Sequence, residues 1–258
     1  MSIPARLETI DLSLSAGDRT LIGGLSVRFE AGQNWAILGA NGSGKTTLLH
    51  TLAGLRPAGS GQILLDGTNL QSVPGWVRAR RLGVLFQEQG NTLTATVRET
   101  VLTGRHPHLG RWQSEGPPDI AAATAALALT DLTGLEQRNT DSLSGGERRR
   151  MELAALLTQD TPISLLDEPV NHLDPHYQIG LLGKVCERAQ RPGHLNLIVL
   201  HDVNLALRFC SHGLLLLPGG ETRHGRLEDT VDSAVLQQVY GCAMREIRDT
   251  RQRLYLPA

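Results

Sequence analysis

Gly39-Ala40-Asn41-Gly42-Ser43-Gly44-Lys45-Thr46-Thr47 is the stretch from which the rest of the chain can be read. Its outer glycines, Gly39 and Gly44, bracket four residues and are followed by a lysine and a hydroxyl residue. Ahead of it, Asn34-Trp35-Ala36-Ile37-Leu38 is short, apolar and partly branched, which predicts a buried strand. Behind it, residues 48–53 carry a helix pattern that stops at Gly54. Strand, glycine loop and helix together make a phosphate site. The glycines let backbone N–H groups point into one concavity, and the helix N-terminus adds positive potential. Lys45 would reach the β- and γ-phosphates of a nucleotide, and the Thr46 hydroxyl would ligate Mg²⁺.

The chain has 258 residues, enough for one large α/β domain or a core with a subdomain. Its net charge of −1 supplies no global basic field, which argues against nucleic acid as a partner. Lys45 and Lys184 are the sole lysines. Cys186, Cys210 and Cys242 are far apart and odd in number, fitting neither a zinc spacing nor a disulfide framework. Residues 1–6 lack an apolar segment of the secretory kind, and the leucine run 214–217 is far too short to span a bilayer. The expectation is a soluble chain whose membrane role, if any, comes through a partner.

Residues 7–14 and 25–30 alternate in polarity around a turn at 16–19, predicting an antiparallel hairpin ahead of the nucleotide core. Residues 62–67 predict a third such strand. A basic helix follows at 76–81, whose Arg78, Arg80 and Arg81 read as a solvated face. A strand at 82–86 ends at Gln87, and residues 88–91 form a polar loop. From 94 to about 156 the pattern is mostly helical, broken near 104–118, so a helical insertion interrupts the βα alternation. The core resumes with a strand at 162–168, a helix at 175–189 and a strand at 195–202. A helix at 203–210 and a final strand at 213–217 follow, and from about Gly225 a polar tail carries one helix, 230–240.

Ile163-Ser164-Leu165-Leu166-Asp167-Glu168 places two carboxylates at the C-terminal end of a buried strand, where open α/β sheets put their ligand sites. Adjacent acids repel and lose hydration there, and Mg²⁺ supplies the reason for them. Asp167 would hold the metal and Glu168 would polarise the attacking water. Leu143-Ser144-Gly145-Gly146-Glu147 opens a second helix with a capping serine and bare backbone amides, a second phosphate cradle. One ATP needs one glycine loop, so the second cradle suggests that ATP is shared between two subunits. The Arg148-Arg149-Arg150 run after it reads as a solvated helix face. Gln87 and His201 each end an apolar strand, placed to sense a γ-phosphate.

Together these residues resemble the ATP-binding subunits of ABC transporters. The glycine loop matches the Walker A sequence, Gln87 the Q-loop, residues 143–147 the signature, and residues 163–167 the Walker B strand. Glu168 matches the catalytic glutamate, Asn171-His172-Leu173-Asp174 the D-loop and His201 the switch histidine. The resemblance spans nearly the whole chain. It implies a P-loop NTPase core of the RecA-like α/β class, with an N-terminal antiparallel β subdomain and an inserted α-helical subdomain. In that division the β subdomain covers about 6–30 and 60–70, the helical subdomain about 90–157, and a C-terminal tail 225–258. It implies Glu168, His201, Lys45 and Gln87 as catalytic residues, and Thr46, Gln87 and Asp167 around Mg²⁺. It also implies a head-to-tail homodimer that sandwiches two ATP molecules, with Ser144, Gly145, Gly146 and Asp174 completing the partner's site. Two transmembrane permease subunits would dock near Gln87, a periplasmic binding protein would act indirectly, and the chain would lie peripherally on the cytoplasmic face of the inner membrane.

Residues 103–110 and 236–241 are similar to segments in importers of iron chelates, haem and vitamin B12, which makes a metal-chelate importer the expected system. The alternatives are an importer for another small molecule, a non-transport ATPase with the same cassette, and a P-loop kinase. The second usually carries tandem cassettes or a long coiled-coil insertion, and the third needs neither the signature nor His201. One departure stands out: residues 14–19 contain no aromatic to stack on adenine, leaving the Arg19 guanidinium as a substitute.

Overall fold

The computed structural model describes residues 6–87, 95–248 and 253–258. β1 (Arg6–Ala16) and β2 (Arg19–Glu30) pair antiparallel about Gly17 and Asp18, with Gly17 at φ 59° supplying the left-handed conformation of a tight hairpin. β3 (Asn34–Gly39) is buried throughout. α1 (Lys45–Leu52) starts earlier than its leucine pattern predicts. Gly44, at φ 103°, is its N-cap, so Lys45, Thr46 and Thr47 form the first turn. β4 (Ser60–Leu65) returns to β1 and β5 (Thr68–Asn69) joins it, giving a four-stranded antiparallel sheet ordered β2-β1-β4-β5.

α2 (Gly75–Arg81) has no buried residue, as its solvated reading requires, although Arg80 donates to the Pro107 carbonyl and Arg81 to Asp66. β6 (Leu82–Leu85) leads to Gln87. The polar loop expected at 88–91 lies outside the described residues. α3 (Val97–Leu102), α4 (Pro117–Leu129) and α5 (Gly145–Gln159) follow, the first and last opened by capping boxes, Thr96 with Glu99 and Ser144 with Glu147. The break between α3 and α4 includes a 3-10 segment, Thr103–His108, packed on α5. There Arg105 donates to Asp119 at 2.8 Å and to the Thr158 carbonyl at 3.1 Å, and His108 donates to the Gln159 carbonyl at 2.7 Å.

β7 (Ile163–Asp167), α6 (Pro175–Ala189), β8 (Leu195–Val199), α7 (Val203–Phe209) and β9 (His212–Leu216) resume the alternation. The expectation that the strand at 213–217 is the last does not hold. β10 (Thr222–Arg226) pairs antiparallel with β9. After α8 (Leu227–Thr230) and α9 (Ser233–Tyr240), β11 (Met244–Arg248) and β12 (Arg253–Pro257) close a second hairpin. β10 has no apolar residue to mark it in sequence, and β11 and β12 lack the alternation of a half-buried strand, so tertiary contacts decide their place. Tyr255 is 1% exposed, and the Asn204 amide pairs with its backbone, donating to the carbonyl at 3.0 Å and accepting from N–H at 2.8 Å.

The core sheet runs β10-β9-β3-β8-β7-β6, parallel from β9 to β6. Alternate residues of each strand enter different cores. Trp35 and Ile37 face the cluster shared with α1 and the antiparallel sheet, whereas Ala36 and Leu38 face the cluster built on α3 to α7. Burial on both faces explains the unbroken apolar runs. Because β6, β7, β8 and β3 are parallel, Gln87, Asp167, His201 and the glycine loop all leave the same sheet edge.

The solvated reading of the arginine run is overturned. Arg149 and Arg150 are 7% and 8% exposed. Arg150 shares its helix face with the buried Leu153, Ala154 and Leu157, the i, i+3, i+4, i+7 spacing of a core stripe. Its guanidinium lies 4.6 Å from the Tyr177 ring centroid and donates to the carbonyls of Thr130 and Asp131.

Candidate nucleotide site

The glycine loop curls so that Gly42, at φ 72°, and Gly44 both adopt left-handed backbone. A side chain on Gly44 would also meet Leu21 at 3.0 Å, so glycine is required twice over at that position. The loop borders a cleft of about 490 Å³. Asn41, Gly42, Gly44, Lys45, Thr46 and Thr47 line one side, and Gln87, Glu168, Asn171 and His201 line another. Ala16 and Leu21 of the N-terminal hairpin complete the wall, and Arg19 is not part of it, although it pairs with Ala16 across β1 and β2.

Lys45 is folded onto its own loop, its Nζ donating to the carbonyls of Gly39 at 2.8 Å and Ala40 at 3.0 Å. Burial holds its ammonium below the usual lysine range, and Glu168 and Asp167 oppose that shift. Asp167 is fully buried, and among the described residues neither carboxylate oxygen meets a partner in good hydrogen-bond geometry. Burial pushes its carboxyl above the usual range and Glu168 adds to the shift, while the neighbouring Thr46 hydroxyl opposes it. A buried carboxylate with free oxygens beside a hydroxyl is a donor set for a hard divalent cation. In the same loop Ser43 Oγ is buried without a partner among the described residues.

Glu168 collects the other polar groups of the cleft. His201 Nε2 lies 2.5 Å from its Oε1, Asn171 Nδ2 donates to its Oε2 at 2.8 Å, and Gln87 Nε2 reaches the same oxygen at 3.4 Å. Its backbone stands at φ 49°, an unusual conformation for a residue with a side chain. Tyr240 donates to the His201 carbonyl at 3.1 Å, and burial followed by the nearby Asp202 pushes its phenol up to about 12.

The other candidate residues lie elsewhere. Ser144 and Gly145 are exposed at the start of α5, Gly146 packs near Leu173, and Asp174 is exposed as the N-cap of α6. None of them lines the cleft. Two residues with a place at the site were not singled out from sequence. Asn171 was noted only within its motif. Arg149 reaches the carbonyls of Phe86, Asp167 and Glu168, and its signal was the apolar spacing of α5, which puts it on the inward side.

Comparison with known proteins gives the same direction. The family model described as ABC transporter matches residues 22–171. The ferric enterobactin transport ATP-binding protein of Escherichia coli is 38% identical over 95% of this chain and 90% of its own length. The hemin import ATP-binding protein of Pseudomonas aeruginosa is 38% identical over 91% of this chain and 92% of its own. A solved ABC transporter in an inward-facing conformation, described as of the metal-chelate type, superposes with a TM-score of 0.84. It is 24% identical and covers 98% of both chains, a likeness of fold.

Proposed function

The chain belongs to the ABC transporter family, and from that membership we propose that it is the ATP-binding, ATP-hydrolysing subunit of a metal-chelate importer. The observation that carries the enzymatic part is the convergence of His201, Asn171 and Gln87 on Glu168, across the cleft from Lys45 and Thr46. The cargo is a ferric siderophore, haem or cobalamin. Relatives that transport ferric enterobactin and hemin support the first two.

The residues from Gly39 to Thr47 hold the triphosphate, and Lys45 exchanges its loop carbonyls for phosphate oxygens. Thr46, Asp167 and Gln87 would hold Mg²⁺, which neutralises charge on the phosphates when bound. Glu168 accepts a hydrogen bond from the attacking water and orients it in line with the γ-phosphate. His201 fixes the Glu168 carboxylate and meets the phosphate oxygens. Ser144, Gly145, Gly146 and Asp174 serve the cleft of a second copy, which their distance from their own cleft supports. In this reading the chain is one ABC ATPase domain, comprising the antiparallel β part, the helical part, the nucleotide core and the tail from 225. Among the described residues no helix is long and apolar enough to cross a membrane. Two permease subunits therefore carry the cargo, with this subunit peripheral on the cytoplasmic face and a periplasmic binding protein delivering substrate.

The test is reconstitution of the chain with its genomically adjacent permease in lipid nanodiscs. ATP turnover should rise when binding protein loaded with a ferric siderophore, haem or cobalamin is added on the opposite face. Stimulation by cargo from the ATP side alone would overturn import.

A further inference from the structure

Arg149 sits at the junction of three segments that carry site residues. It rises from the first turns of α5, the helix opened by Ser144. One guanidinium nitrogen donates to the Phe86 carbonyl at 2.6 Å, immediately before Gln87, and to Glu152 at 2.8 Å. The other donates to the carbonyls of Asp167 and Glu168, the latter at 2.9 Å. Arg149 and Glu152 side chains are 8% and 11% exposed, so the charge is desolvated, paired with one carboxylate and otherwise turned toward backbone oxygens.

We propose that Arg149 is a positioning residue for ATP hydrolysis: its fork pins the peptides of Asp167 and Glu168 so that Glu168 keeps its left-handed backbone. This inference rests on the hydrolytic role given to Glu168 above. At φ 49° Glu168 occupies a conformation that L-residues seldom adopt, and such backbone persists only where surroundings over-determine it. Two carbonyls held by one planar, charged donor are such a restraint. The same fork ties the end of β6 to the end of β7, so Gln87 and Glu168 keep their spacing. Because α5 begins with the segment assigned to a partner's ATP, Arg149 also links that segment to the chain's own hydrolytic carboxylate.

Arg149 does not line the cleft, and it touches Asp167 and Glu168 only through their backbone carbonyls, so its loss should lower the rate of the chemical step and spare ATP binding. Full-length Arg149→Gln and Arg149→Lys variants are compared with wild type for steady-state ATP hydrolysis with Mg²⁺. The Gln variant is expected to lose roughly tenfold or more in kcat, with KM for ATP within about twofold. Lysine keeps the charge but cannot span three carbonyls, so an intermediate kcat is expected. Wild-type kcat in the Lys variant, or a parallel change of KM and kcat in either, would overturn the proposal. If Arg149→Gln does not fold, the Lys variant alone decides on the same criteria. Amide hydrogen exchange over residues 166–171 without nucleotide gives an independent reading. It should accelerate in the variants, and unchanged exchange would overturn the pinning. A wild-type chain without ATPase activity would remove the hydrolytic reading, while exchange would still report on Arg149.

Discussion

Nε2 of His201 lies 2.5 Å from Oε1 of Glu168, and the pair meets because β7 and β8 are adjacent parallel strands that end at one sheet edge. The second Glu168 oxygen is held by Asn171 and approached by Gln87. A carboxylate fixed on both oxygens is oriented before substrate arrives, which is what positioning a water molecule requires.

Replacing Glu168 with glutamine keeps the shape and removes the carboxylate proposed to orient the water. Glu168→Gln should bind ATP at close to wild-type affinity, lose at least about a hundredfold in kcat, and accumulate as an ATP-bound dimer. Phosphate release and size-exclusion chromatography with ATP measure the two effects. Near-wild-type hydrolysis would remove Glu168 from its role.

Ser144 is exposed, and among the described residues its side chain hydrogen-bonds only within its own cap, to the Glu147 N–H. Ser144→Arg should cost about 1 kcal/mol of stability through the lost cap. If this segment serves a second copy, the same change should abolish ATP-dependent dimerisation while leaving ATP binding by the monomer intact. A Ser144→Arg, Glu168→Gln double variant that still dimerises would disprove the shared site.

The cleft wall next to the glycine loop is aliphatic, with Ala16 and Leu21 where an aromatic would stack on a base. Base stacking on an aromatic contributes about 1–3 kcal/mol. Without it, ATP and GTP should differ by less than about tenfold in KM. Competition between the two nucleotides for the Glu168→Gln dimer is a second measure, and a large ATP preference would contradict the expectation.

Gly104 packs so closely on α5 that a Cβ there would collide with the Ala155 carbonyl and come within 3.0 Å of the Gln159 nitrogen. Both neighbours are helix backbone and cannot swing aside. Gly104→Ala should therefore destabilise the chain by about 1–3 kcal/mol. Urea unfolding of the full chain measures it, and a change below about 0.5 kcal/mol would show that the segment relaxes.

Asp119 accepts from the Gly116 N–H at 2.9 Å and from Arg105 at 2.8 Å, and these hold its carboxyl below the usual range. A depressed folded-state pKa means that its stabilisation is present above the unfolded value and lost as pH falls through the folded one. Asp119→Asn should lower Tm at pH 7, and the gap to wild type should close as acid protonates the native carboxyl. A gap that persists unchanged at low pH would assign the effect to packing.

The ATPase constellation is largely legible in the sequence because it is made of short segments at the ends of apolar strands. Each segment announces itself by chemistry that an ordinary strand end does not need: glycines before a lysine, paired acids, a histidine after an apolar run. The parallel core follows from the same runs, since strands buried on both faces cannot alternate. Three features were decided by tertiary contact. Arg149 and Arg150 look like a solvated run until α5 is packed, because a guanidinium can be buried only where carbonyls, a carboxylate or a ring receive it. The hairpin of β11 and β12 lacks the alternating pattern that marks a half-buried strand, and it is held by Asn204 and the burial of Tyr255. Sequence alone supplied two phosphate cradles and the suggestion that they serve two subunits, without the geometry that separates them. The fold puts Gly39–Thr47 against Glu168 and His201 and leaves Ser144 outside the cleft, because sheet order fixes which loops share an edge and α5 carries its own N-terminus away from it.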